Sequence, residues 1–288
     1  MAPNSDSTLR VAVLCDECVP RWEKRALERM VSETDAEITH VVFRDPEDRE
    51  DGVRAFVRDA ARQIRNYPLW SMVGAVRMAT ETPEYERPTP VTDVEGVPDA
   101  EWVYCTPQPA DGLGTVLPEF VVDGVASEVD VAVRLTGFGI LMGEILHAPT
   151  HGVLSYHVGD IREYRGVMGA GFWEFFDGRG EMGVTVQQLT ETLDGGRIVA
   201  LERVDISELH TWQAVKARAF CVAERMLATA VENLSDPAFT PAEPDRLGEL
   251  RYPPKGAAVL RYLLKNTSGR LRTGSDPRSV ERDRPVRD

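Results

Sequence analysis

Five histidines and four cysteines are the scarce, chemically versatile residues of this 288-residue chain, and their spacing limits what they can do. Cys15 and Cys18 form a C-D-E-C step just after an apolar run of strand length. That spacing suits either redox chemistry or half of a metal site. No second such pair follows, and a thioredoxin-like chain would be much shorter. His147, His151 and His157 are interrupted by Pro149 and match no standard ligand pattern, so no metal is expected. His157 closes the strand-like run GVLSYH (152–157), and Asp194 lies in the loop LDGG after a second strand-like run. A histidine at a strand end beside a carboxylate carries a movable proton near neutral pH. Arg134 interrupts the otherwise apolar run VDVAVRL (129–135). It either reaches a phosphate or carboxylate of a ligand, or pairs with an acid at the strand end.

The elements that must hold these residues follow from hydrophobic periodicity. LRVAVLCDE (9–17) reads as a strand, WEKRALERMVSE (22–33) as a helix and ITHVVF (38–43) as a second strand, an opening that predicts parallel strands in an α/β domain. Helices are expected over 52–66 and 69–80, and the Pro- and acid-rich stretch 81–98 reads as a surface excursion. EWVYC (101–105), VDVAVRL, GVLSYH, GVTVQQL (183–189) and GRIVALERVDI (196–206) follow as strands. LPEFVVDGVA (117–126) reads as a helix, and a longer one over 207–234 has Ser207 as its expected N-cap. The aromatic run Phe172–Phe176 is assigned to core packing. Open α/β sheets bind ligands beyond their strand ends, where His157 and the loop holding Asp194 fall.

Several motifs occur together and in order: TGFGIL (136–141), SYHVGDIREYRG (155–166), GVT (183–185) and LDGGRI (193–198). Across these roughly 70 residues the sequence resembles the folate-dependent formyltransferase family, which includes glycinamide ribonucleotide, methionyl-tRNA and sugar-nucleotide formyltransferases. Linked motifs in register are more specific than any one alone. The resemblance implies a Rossmann-like, mainly parallel sheet flanked by helices, with 10-formyltetrahydrofolate as formyl donor. It puts the family's catalytic histidine on His157 and its catalytic aspartate on Asp194. The folate-binding loop falls on Gly137, Phe138, Gly139, Ile140 and Leu141, with a second contact on Glu191–Asp194, including Leu193. Ser155 stands where the family has asparagine, and is expected to take over part of its role. Val158, Gly159, Asp160, Ile161 and Arg162 replace its Pro-Ser-Leu-Leu-Pro segment, and Asp160 is included as a residue that could reach the site. Tyr164, Arg165 and Gly166 keep the family's Tyr-Arg-Gly turn.

Composition narrows the setting. The net charge of −14, with 29 arginines and four lysines, fits either a salt-rich cytosol or a genome that favours arginine codons, and argues against non-specific nucleic-acid binding by the main body. No run approaches the ~20 apolar residues of a membrane span, and MAPNSDSTLR lacks the order of a secretory signal, so a cytoplasmic location is expected. The sequence divides into a catalytic domain over 8–235 and a short helical extension over 236–288, disordered beyond about 267. Residues 251–288 carry a net charge of +6, and this tail is either a solvated end or a contact for anionic lipid or RNA. The function expected is formyl transfer to an amine. An amino sugar is favoured by elimination: the tRNA-modifying members usually carry a C-terminal β-barrel, and the purine-pathway members lack so long a middle excursion. Hydrolysis of formyl-folate and non-catalytic folate or nucleotide binding are the alternatives.

Overall fold

The structure is a computed structural model that describes residues 8–45, 57–58, 60–78, 82–166 and 169–273. In chain order, β1 (Leu9–Cys15) and β2 (Cys18–Pro20) lead into α1 (Arg21–Glu33) and β3 (Ala36–Arg44). Then come α2 (Pro68–Met78), β4 (Pro88–Pro90), β5 (Glu101–Cys105), β6 (Gln108–Pro109), β7 (Thr115–Val116) and α3 (Glu119–Glu128). They are followed by β8 (Val131–Arg134), β9 (Val153–His157), β10 (Tyr164–Gly166), α4 (Phe172–Asp177), β11 (Glu181–Gln188) and β12 (Arg197–Asp205). The described chain ends with α5 (Trp212–Ser235), β13 (Glu249–Arg251) and α6 (Ala257–Thr273).

Seven strands form one sheet in the order β12-β11-β9-β8-β1-β3-β5. The five from β9 to β5 run parallel, and β11 and β12 are antiparallel to their neighbours. β1 is apolar and buried at every position except Arg10 because helices cover both of its faces. Alternate side chains divide the interior. Val11, Val13, Val131, Val133, Val184 and Val186 pack under α1 and α5, where Trp22 stacks on Phe220 at 4.8 Å. Ala12, Leu14, Ala132 and Val153 meet α3 through Val121, Val122 and Val125. The chain adds β3 and β5 on one side of β1, then crosses back to place β8 on the other. The order therefore reverses between β1 and β8, and a crevice opens beyond their carboxyl ends.

Some expectations are revised. Within the expected excursion 81–98, the described residues 82–98 are anchored: Val91, Val94 and Val97 are fully buried, and β4 pairs with β2. The expected helix over 52–66 is helical across 60–66, while 52–56 and 59 lie outside the described residues; Ile64, expected on its apolar face, is exposed. The long helix starts at Trp212 rather than near Ser207, because Thr211 accepts from the Ala214 amide as its N-cap, whereas Ser207 closes a turn with Asp205. The C-terminal extension is packed rather than loose. β13 pairs with β10, and α6 places Val259 and Tyr262 in the core. The expected disorder beyond about 267 does not hold for 268–273, which continue α6; 274–288 lie outside the described residues. Among the described residues no helix is long and apolar enough to cross a membrane.

Candidate active site

His157 is the last residue of β9, and one backbone carbonyl and one carboxylate define its ring. Nε2 donates to the Tyr164 carbonyl at 2.9 Å, which makes Nε2 the protonated nitrogen of the neutral ring. Nδ1 faces Asp194 Oδ1 at 3.6 Å, an ion-pair separation rather than a hydrogen bond. Nδ1 is therefore bare in the neutral ring and a donor in the charged one. Asp194 is the one described non-glycine residue with positive φ, 45°, a conformation that Asp and Asn tolerate. Its Oδ2 accepts from the Gly166 amide at 2.8 Å, which leaves Oδ1 turned toward His157. Gly166 has no room for a side chain: a Cβ there would lie 2.3 Å from the Arg251 carbonyl oxygen.

Burial opposes the imidazolium of His157. The facing Asp194 carboxylate, the Tyr164 carbonyl and Glu174 outweigh that burial and leave its pKa raised above 6.5. Burial likewise opposes the charged Asp194, and His157, the Gly166 amide and Arg165 overcome it, so its pKa is lowered. The signs define a window. The His157 contribution is complete below its ordinary pKa and lost as pH rises through the raised one. The Asp194 contribution is complete above the ordinary carboxylate pKa and lost as pH falls through the lowered one. We expect the His157 ring protons to titrate in NMR with a midpoint above 6.5, and lower in Asp194→Asn. An unchanged midpoint in that variant would show that the carboxylate does not act on the ring.

Of the two loops that the resemblance assigns to folate, 191–194 holds Asp194 itself, and the other follows β8. In 136–141, Thr115 Oγ1 donates to the carbonyls of Phe138 and Ile140, and the Asp16 amide donates to the Thr136 carbonyl at 2.8 Å. Phe138 and Leu141 turn into the core, so this loop offers a ligand its backbone and Gly139. Glu191 accepts from the Gly143 amide, two residues past this loop, at 3.3 Å, and the Leu193 carbonyl accepts from Arg165 at 3.0 Å. Gly137 needs to be glycine: at φ +138° its Cβ would sit 2.7 Å from the Asp16 amide nitrogen. Gly137→Ala is expected to destabilise the protein by about 1–3 kcal/mol, measured by urea unfolding.

Of the remaining sequence candidates, Ser155 is buried two residues before His157 and accepts from Arg134 Nη1 at 3.0 Å. Asp160 is engaged elsewhere. Both of its oxygens are held by Arg162 at 2.8–3.0 Å, closing the turn that follows β9. The Tyr164 hydroxyl donates to Asp177 at 2.8 Å, so its contribution at His157 is its carbonyl. Four contributors escaped the sequence reading. The Tyr164 carbonyl carries no side-chain signal. Glu174 is buried within the aromatic run, its pKa pushed up to about 7 chiefly by burial. Glu23, on α1, accepts from the Thr136 amide and hydroxyl, and burial pushes it too up to about 7. Gln187 lies opposite Ser155 on β11 and accepts from the Gly196 amide, fixing the Asp194 loop from below. Only the buried acid on α1 had a legible signal, an acidic residue on the apolar stripe of an amphipathic helix. Cys15 and Cys18 are both free, one buried and one exposed. The His, Cys, Asp and Glu ligand atoms that gather closely among the described residues are those of His40, Glu101 and Glu128, not the three histidines 147, 151 and 157.

A mainly parallel α/β sheet with a switch point, a strand-end histidine facing an aspartate and two backbone-rich loops are features of a fold of the formyltransferase type. The formyl transferase family model matches residues 103–231. A methionyl-tRNA formyltransferase of Sorangium cellulosum (strain So ce56) is 26% identical over 163 residues, 57% of this chain and 49% of the relative. The chain thus spans about half the length of that curated relative. Glycinamide ribonucleotide transformylase 1 from Symbiobacterium toebii shares the fold with a TM-score of 0.54 at 14% identity, over 85% of this chain and 95% of that one. A formyltetrahydrofolate deformylase from Pseudomonas syringae pv. tomato str. DC3000 shares it with 0.51 at 18%, over 80% and 62%. In motif order, in the family match over residues 103–231 and in fold, the chain is similar to the folate-dependent formyltransferases.

Proposed function

We propose that this protein is a cytoplasmic enzyme that transfers a formyl group from 10-formyltetrahydrofolate to an amine, an amino sugar on a nucleotide being the acceptor class. One observation carries the reading: Tyr164 fixes the tautomer of His157 so that Nδ1 faces Asp194 at 3.6 Å. The amine nitrogen attacks the formyl carbon, and the carbonyl oxygen gains negative charge as the new C–N bond forms. The charged Nδ1–H donates to that oxygen, and Asp194, kept ionised, takes the proton released by the amine. The proton is then delivered to the folate nitrogen as its bond to the formyl carbon breaks. Loops 137–141 and 191–194 hold the pterin through backbone groups, and no metal is required by any of these steps.

The acceptor reading draws on a neighbouring open groove of about 680 Å³ lined in part by Arg162, Arg179, Arg246 and Arg251. Guanidinium forks match the phosphates of a nucleotide, although Glu163, Asp177 and Glu249 share the groove and offset much of that charge. A second reading is hydrolysis, since the same donor and base can serve an attacking water as well as an amine. The purified chain, incubated with formyl donor and a panel of nucleotide-linked amino sugars, should yield an N-formyl product by mass spectrometry. Formate released without any amine would favour hydrolysis, and neither product would contradict both readings.

A further inference from the structure

At the switch point of the sheet stands a charged side chain that none of the roles above uses. Arg134 ends β8, in register with Leu14 of β1 on one side and Ser155 of β9 on the other. Its Nη1 donates to Ser155 Oγ, while its Nε is buried with no hydrogen-bond partner among the described residues. A guanidinium at this depth is costly unless something compensates it. Both Glu23 oxygens accept from Thr136, and Asp194 Oδ2 accepts from the Gly166 amide. These acids act on Arg134 through space: burial lowers its pKa, and Glu23 and Asp194 oppose that. An arginine stays protonated in such a setting.

The chemistry of the Ser155 hydroxyl follows. It has one proton and two lone pairs. Having accepted from a cation, it turns its own O–H elsewhere and donates more strongly. Strand alternation puts Ser155 and His157 on one face of β9, about 7 Å apart. Donors at that spacing can approach one small group from two sides.

We infer that Arg134 is a positioning residue for the proposed formyl transfer: it orients and polarises the Ser155 hydroxyl so that this O–H donates to the formyl oxygen. The inference rests on the reading of the site as one for a formyl donor. Formation and loss of the negative oxygen are then served by two donors, the pH-dependent His157 and the pH-independent Arg134–Ser155 pair.

The test compares calorimetric affinity of the full chain for a stable 10-formyl folate analogue with that for the same analogue lacking the formyl group. The wild type is expected to prefer the formyl form. Arg134→Met and Ser155→Ala should each cut that preference by about tenfold or more, and the double variant should be no worse than either alone. Adding Ser155→Asn to Arg134→Met should restore it, because a carboxamide N–H needs no cation to orient it. In turnover, kcat should fall while KM for the acceptor holds. If Arg134→Met does not fold, Arg134→Lys, which keeps the charge but loses the fork, should give an intermediate preference. An unchanged preference in the Arg134 variants, additive losses, or no restoration by asparagine would overturn the inference. Equal wild-type affinity for the two analogues would overturn it alone, whereas binding of neither would remove the donor reading beneath it.

Discussion

Asp194→Asn is expected to lower kcat by about 10²–10⁴ while the protein keeps its fold. The expectation is severe because the substitution changes little else. Asparagine tolerates the left-handed backbone at φ 45°, and its carboxamide oxygen can still accept from the Gly166 amide. What disappears is the negative charge opposite Nδ1, which raises the His157 pKa and, in the proposed mechanism, receives the amine's proton. His157→Ala should fall by a comparable factor, and the double variant by little more than either, since the two act as a unit. Steady-state kinetics with unfolding midpoints measured in parallel check this. Wild-type turnover in Asp194→Asn would sink the assignment.

Phe172→Ala is expected to cost about 3–5 kcal/mol of stability, the largest structural effect of any single side chain considered. Phe172 is 1% exposed, and its ring meets Trp70 at 5.1 Å, Trp173 and Trp212 at 5.0 Å and Tyr262 at 5.4 Å. Those partners come from α2, α4, α5 and α6, so one ring joins four helices, including the C-terminal one. Removing it leaves a cavity whose walls are rings, which cannot collapse inward cheaply. Urea unfolding followed by tryptophan fluorescence gives the loss directly. A cost below about 1 kcal/mol would mean that α6 and its aromatic partners are only loosely docked.

The sheet was legible because its strands are runs of β-branched residues at strand length, and the helices because Trp22, Ala26, Leu27 and Met30 recur at helical spacing. The run 81–98 was misread because proline and acid content signals exposure, while Val91, Val94 and Val97 carry the burial. The start of α5 was misplaced for a related reason: two residues, Ser207 and Thr211, were eligible caps, and the pairing of Ser207 with Asp205 settles the choice only in three dimensions. At the site, His157 and Asp194 were legible from motif order, and the structure faces them across 3.6 Å. Asp160 looked available because sequence does not show that Arg162, two residues on, occupies it. The Tyr164 carbonyl that fixes the tautomer was invisible, since backbone groups have no residue signature.

The central claim is that the crevice beyond β1, β8 and β9 holds a formyl-folate, and calorimetric titration of the purified chain with a stable 10-formyltetrahydrofolate analogue in high salt tests it most directly. Saturable one-to-one binding, weakened by alteration of the Gly137–Leu141 loop, is the result predicted. No saturable heat up to millimolar analogue would contradict the claim and leave the His157–Asp194 pair serving some other reaction.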